Sequence, residues 1–228
     1  MINTLLEYKP ETEYPYAQGF CITDRFIYIV NILDNAHEVV YQYDKYTCQF
    51  KKRIPFTGLI RHGNDLAWNP YQKLIYCASA GGSKEIAVFD EQFNHLCIVY
   101  LPFDIVSLSG VAYDPVSRRT AIYGGSNHKI YIIKNPLECS LIQSCTHEGN
   151  SNFQGLAFHD SILYGCYSSG KIMVMNMNGD TIETTKIHQK GEMENLKILN
   201  GKVFYNIQAE TSGVYYENMS EIVKNPMV

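Results

Sequence analysis

The chain has 228 residues, 46% hydrophobic and 13% aromatic, with a formal net charge of −4 and a pI near 6.0. No global basic field exists, so neither nucleic acid nor an anionic membrane is an expected partner. No apolar run approaches the ~18 residues of a membrane span, and no stretch has linker composition, so a single all-β domain over 1–228 is expected.

Residues 1–7 lack a basic segment followed by a long apolar core, which argues against a signal peptide and for a cytoplasmic setting. The first apolar run, 4–9, reads as a strand. A phrase then recurs five times, a bulky apolar residue followed by tyrosine: Ile27-Tyr28, Ile75-Tyr76, Ile122-Tyr123, Leu163-Tyr164 and Phe204-Tyr205. The tyrosines stand 48, 47, 41 and 41 residues apart. A period of roughly 40–50 residues marks a repeat architecture.

Each phrase follows a polar or small pair and an apolar residue: Gln18-Gly19-Phe20, Asn64-Asp65-Leu66, Ser109-Gly110-Val111, Gln154-Gly155-Leu156 and Glu194-Asn195-Leu196. Turns rich in Gly, Ser or Asn come next, then further runs such as 85–89 and 171–175. Short runs rich in Ile, Val, Tyr and Phe between turn residues read as strands. Four strands per repeat and five repeats give a five-bladed β-propeller of antiparallel blades, with repeats near 17–57, 58–104, 105–149, 150–191 and 192–228 plus 1–16. In the fifth repeat strands are expected at 195–199, 202–207 and 213–217. The outer strand is either 220–224 or the N-terminal run, and the latter is favoured because Asn225-Pro226 cuts the former short. Either choice covers an otherwise open edge. The five tyrosines are expected to pack between blades.

Seven scattered cysteines without a Cys-x-x-Cys pair imply neither a disulfide framework nor a zinc site. Lys51-Lys52-Arg53 and Arg118-Arg119 fall on outer strands or turns, as solvated surface. In a propeller, the loops entering the inner strands gather around one funnel, where ligands bind. Here they carry Gln18, Arg61, His62, Asn64, Asp65, Ser109, Asn152, Gln154, Glu194 and Asn195 as candidate ligand-binding residues. Arg61 to Asp65 is the densest segment, pairing an anion- or carbonyl-binding Arg-His with directional Asn and Asp. Taken singly, each of these residues has a competing role in turn chemistry. Five polar positions converging on one opening favour a site. Glu192, Glu194 and Asp65 are the candidate general bases. Calcium requires six or more oxygens, and no compact acidic loop offers them, so no cofactor or metal is expected unless carboxylates of different blades converge. No nucleophile elbow, zinc helix or phosphate loop occurs.

The segments Gln18-Gly19-Phe20, Gln154-Gly155-Leu156-Ala157-Phe158 and 193–206 resemble repeats of plant-type and bacterial glutaminyl cyclases, and less specifically NHL-like and gluconolactonase-like propellers. That resemblance implies a five-bladed scaffold and conversion of N-terminal glutamine to pyroglutamate. Those cyclases carry a glutamate just after the second strand of the first repeat. The corresponding Tyr28-Ile29-Val30-Asn31 has no acid, and Trp68, the one tryptophan, lies in the second repeat. Three functions therefore stay open. The first is a non-catalytic propeller that captures, or sequesters, a small polar or anionic molecule or a peptide end. The others are a cyclase- or lactonase-type enzyme using Glu192 or Glu194, and a protein-interaction platform using Tyr and Phe on its rim.

Overall fold

The computed structural model describes residues 1–8, 16–34, 37–56, 62–81, 84–125, 127–147, 153–188, 191–209 and 212–222. Among the described residues, twenty strands form five four-stranded antiparallel sheets, the blades of a propeller, and one short helix follows the last strand. Blade one holds β2 (Tyr16–Ile22), β3 (Phe26–Asp34), β4 (His37–Asp44) and β5 (Phe50–Pro55). Blade two holds β6 (Gly63–Asn69), β7 (Leu74–Ser79), β8 (Glu85–Asp90) and β9 (His95–Tyr100). Blade three runs through β10 (Leu108–Asp114), β11 (Arg119–Gly124), β12 (Lys129–Ile133) and β13 (Leu141–Thr146). Blade four runs through β14 (Phe153–His159), β15 (Ile162–Tyr167), β16 (Lys171–Met175) and β17 (Thr181–Lys186).

Blade five closes the ring. It comprises β18 (Glu192–Leu199), β19 (Lys202–Gln208) and β20 (Ser212–Asn218), with the N-terminal β1 (Asn3–Tyr8) as its outer strand. The competing C-terminal segment instead begins a short helix, α1 (Met219–Ile222). No helix among the described residues is long and apolar enough to cross a membrane.

The core is divided into five hydrophobic clusters, each at the junction of two neighbouring blades. All five phrase tyrosines are buried in them. Their spacing is less regular than the sequence suggests. Tyr28, Tyr76 and Tyr164 pair with Cys21, Ala67 and Ala157 at one equivalent inner-strand position. Tyr123 pairs with Gly110, two residues away from the equivalent Ala112, and keeps its face. Tyr205 pairs with Leu196, one residue off, and a one-residue offset in a strand reverses the face. It therefore packs back onto blade four, while Phe204 takes the forward position against blade one.

Hairpins end in side chains that cap the turning backbone. Asp44 accepts from the amides of Tyr46 and Thr47, and Asp90 from those of Gln92 and Asn94. Asp114 does this for Val116 and Ser117 and also accepts from Asp160 and Ser161 of the next blade. Burial alone would raise its carboxyl, but the bonds from Ser117 and these amides hold it below the usual range.

Candidate functional site

Each inner strand carries a β-bulge near its start. The pairing register shifts between Ala17 and Phe20, Gly63 and Asp65, Leu108 and Gly110, Phe153 and Gly155, and Met193 and Asn195. The residues left unpaired include Gln18, Asn64, Ser109, Gln154 and Glu194, the five positions expected to face one another. A bulge re-aims the side chain it displaces, which is how one polar position per repeat comes to surround one mouth of the channel.

Bonds across this ring cross several blades. Asn64 Nδ2 donates to the carbonyls of Ser109, at 2.7 Å, and Gln154, at 2.9 Å. Gln18 Oε1 lies 3.1 Å from His62 Nε2, and the Gln18 carbonyl accepts from Asn206 Nδ2 at 2.9 Å. Ser109 and Gln154 thus take part through their backbone in these bonds. Arg61 and Asn152 lie outside the described residues.

Beneath the bulges the channel is latched. Asp65, fully buried, accepts from the amides of Val111 (3.0 Å) and Leu156 (3.3 Å) and from Lys197 Nζ (2.7 Å). Lys197 also donates to the Leu156 carbonyl at 3.2 Å. One carboxylate therefore joins blade two to blades three, four and five. Glycines make the crossing feasible. A Cβ on Gly19 would stand 2.5 Å from Asp65 Cα, and one on Gly155 2.6 Å from Asn195 Nδ2. Burial pushes the Asp65 carboxyl up, with Lys197 and the Val111 amide pulling against that. With its oxygens engaged by three donors, Asp65 is placed as a latch, and Glu194 is left as the buried acid with a free carboxyl.

Glu194 is 4% exposed and has no hydrogen-bond partner among the described residues. Burial, aided by the nearby exposed Glu192, pushes its pKa up to about 8. Unpaired buried polar atoms gather on the same pair of strands: Asn195 Oδ1, Asn206 Oδ1 and Gln208 Oε1, while the Asn195 amide nitrogen faces the Asp65 carboxyl. Buried polar atoms in native structures are nearly always paired, so such a group marks a place where water or a ligand belongs.

Two residues of this region escaped the sequence reading. Lys197 stands where the other inner strands have Cys21, Ala67, Ala112 and Ala157, so a repeat-aligned column of four small residues and one lysine was the available signal. Glu38 is buried and accepts from the Gly63 amide at 3.0 Å, with its carboxyl raised by desolvation. It opens the third strand of blade one and no local pattern distinguishes it. Among the described residues no group of three or more His, Cys, Asp or Glu is placed to hold a metal ion.

Solved structures share this architecture. A glutaminyl cyclase from Myxococcus xanthus aligns over 97% of both chains with a TM-score of 0.70 at 9% identity. A nidogen/laminin complex contributes a chain aligned over 84% of this one and 72% of its own, with a TM-score of 0.59 at 12% identity. At such identities the likeness establishes the fold. No protein-family profile and no curated protein matches the sequence.

Proposed function

We propose that the protein is a ligand-binding propeller whose bulge-side mouth captures a small polar molecule or peptide end bearing an amine or amide. The observation that carries this reading is Glu194, a largely buried carboxyl with no hydrogen-bond partner among the described residues, beside unpaired amide oxygens of blade five. With a pKa of about 8 the group is mostly a neutral acid at pH 7, able to donate to a carbonyl. An arriving ammonium favours its ionised form instead, since an opposite charge nearby lowers a carboxyl pKa. The anionic ligand expected from the sequence depends on Arg61, outside the described residues, and on exposed Lys84. Glu194, the buried acid at this mouth, favours a cation or a neutral amide.

Calorimetry with the dipeptide Gln-Gly and its N-acetylated form tests this. Binding of the free amine should release a proton near pH 7, seen as a heat that varies with buffer ionisation, and Glu194→Gln should abolish that release. Equal, weak or absent heats for both peptides would remove the reading.

The same carboxyl supports a second reading. An enclosed acid with a pKa near the working pH suits general acid–base chemistry, and the M. xanthus structure is that of a glutaminyl cyclase. Loss of ammonia from Gln-Gly, followed by mass spectrometry and eliminated by Glu194→Gln, would favour catalysis. Binding without turnover would leave the capture reading.

A further inference from the structure

The opposite mouth of the channel holds a cavity of about 240 Å³ that the function proposed above does not use. Its origin is legible in the inner strands. Directly below the latch, Cys21, Ala67, Ala112 and Ala157 leave space, and Lys197, drawn up toward Asp65, forms part of the lining. At the next position each blade presents a large apolar side chain: Ile22, Trp68, Tyr113, Phe158 and Ile198. An apolar cavity of ~150 Å³ is known to take benzene, whereas drug-sized sites begin near ~300 Å³. The volume here therefore suits one aromatic ring with a short arm.

The rim supplies a charge. Asp24, which also lines the cavity, is held by Lys73 at 2.8 Å, so its pKa falls below the ordinary range. Lys45, a second lining lysine, also lowers Asp24 through space but makes no ion pair among the described residues, and its ammonium sits 5.9 Å from the Tyr46 ring. Thr23, also in the wall, is consumed by the turn it caps, bonding Arg25 and Phe26. With Asp24 bonded to Lys73, the rim carries two lysines against one carboxylate, and the surplus cation beside an aromatic-walled pocket favours an anionic end on an apolar ligand.

We infer that this mouth is a second binding site, for a small aromatic monocarboxylate whose ring enters between Trp68, Tyr113 and Phe158 and whose carboxylate meets Lys45. It stands apart from the Glu194 site, across the Asp65–Lys197 latch.

Trp68, the only tryptophan, makes the site readable by intrinsic emission. The probe is 3-phenylpropionate, with 3-phenylpropanamide and propionate as controls. A saturable change in Trp68 emission is expected with the acid, a dissociation constant about three- to fivefold weaker with the amide, and none with propionate. The factor is that of a half-exposed ion pair. Lys45→Ala should weaken the acid by the same factor and leave the amide unchanged. Glu194→Gln should leave both unchanged, which separates this site from the other mouth. Ala112→Leu, which fills the cavity, should abolish the response while retaining the wild-type circular dichroism. If that variant does not fold, the acid–amide comparison and Lys45→Ala decide. No saturable response, equal affinity for acid and amide, or wild-type binding by folded Ala112→Leu would overturn the proposal.

Discussion

The two mouths of the channel are built from the same five strands and share almost no chemistry. On the bulge side the repeat position is polar in every blade: Asn64 bonds to backbone of blades three and four, Gln18 to the His62 ring, and Glu194 to no described residue. On the far side the repeat position is apolar in every blade, and the space above it is open. Between them a single ion pair, Asp65–Lys197, takes up the channel. The contrast shows how a repeat protein acquires a site: the scaffold supplies equivalent positions, and a departure in one blade supplies the chemistry. Glu194 and Lys197 are both such departures, and both lie in blade five.

Breaking the latch should have the largest effect. Lys197→Met leaves Asp65 buried and unpaired and should destabilise the fold by about 3–5 kcal/mol in urea denaturation. Adding Asp65→Asn to that variant should recover part of the loss. Recovery that fails would mean the latch matters through packing instead of charge.

Glu194 sharpens the comparison from the bulge side. Its folded pKa, about 8, lies above the ordinary value of 4.5, so the unpenalised protonated form prevails at low pH. Stability is then lost as pH rises from about 4.5 to about 8. Glu194→Gln should be more stable than wild type by about 2–4 kcal/mol at pH 8 and near parity at pH 4.5, measured by denaturant titration at both values. A pH-independent difference would show the carboxyl to be hydrated or paired.

Gly19→Ala tests the close approach of blades one and two. The added carbon meets backbone, not a side chain that can swing aside, so a loss of about 2–3 kcal/mol is expected, read as a lower thermal midpoint.

The smallest effect comes from His147, buried at 2% exposure on the bulge side of blade three, with Nε2 3.3 Å from the Tyr167 hydroxyl and Nδ1 unpartnered. Desolvation lowers its pKa to about 4. Its contribution is intact above pH 6.5 and declines as pH falls toward 4, because the unfolded chain takes up the proton first. Replacing it with Phe should remove about 1–2 kcal/mol of that acid-side loss, seen as a flatter stability profile between pH 7 and 5.

Particular residues show where sequence reading worked. The polar pair read before each inner strand falls on a β-bulge in every blade, because a bulge accommodates a short polar or glycine pair before the apolar residue that resumes the ladder. The tyrosine ruler drifted at Tyr123 and Tyr205, since a β-strand tolerates a large ring at any position on an interface face and even a change of face between two buried interfaces. The N-terminal strand closes the ring, in line with the early stop at Asn225-Pro226, and residues 219–222 form a helix over the start of the competing 220–224 segment. Asp65 and Glu194 looked alike as acids in the sequence. Their difference is the presence of Lys197 Nζ and two amides around one and of nothing around the other.

By itself, then, the sequence determined the period, the strands and the five polar positions, because these depend on alternation and turn chemistry within each repeat. The tertiary structure decided which acid is latched, which is left free, and that the far mouth is hollow. Those outcomes arise from contacts such as the 132-residue separation between Asp65 and Lys197, which only closing the ring brings together.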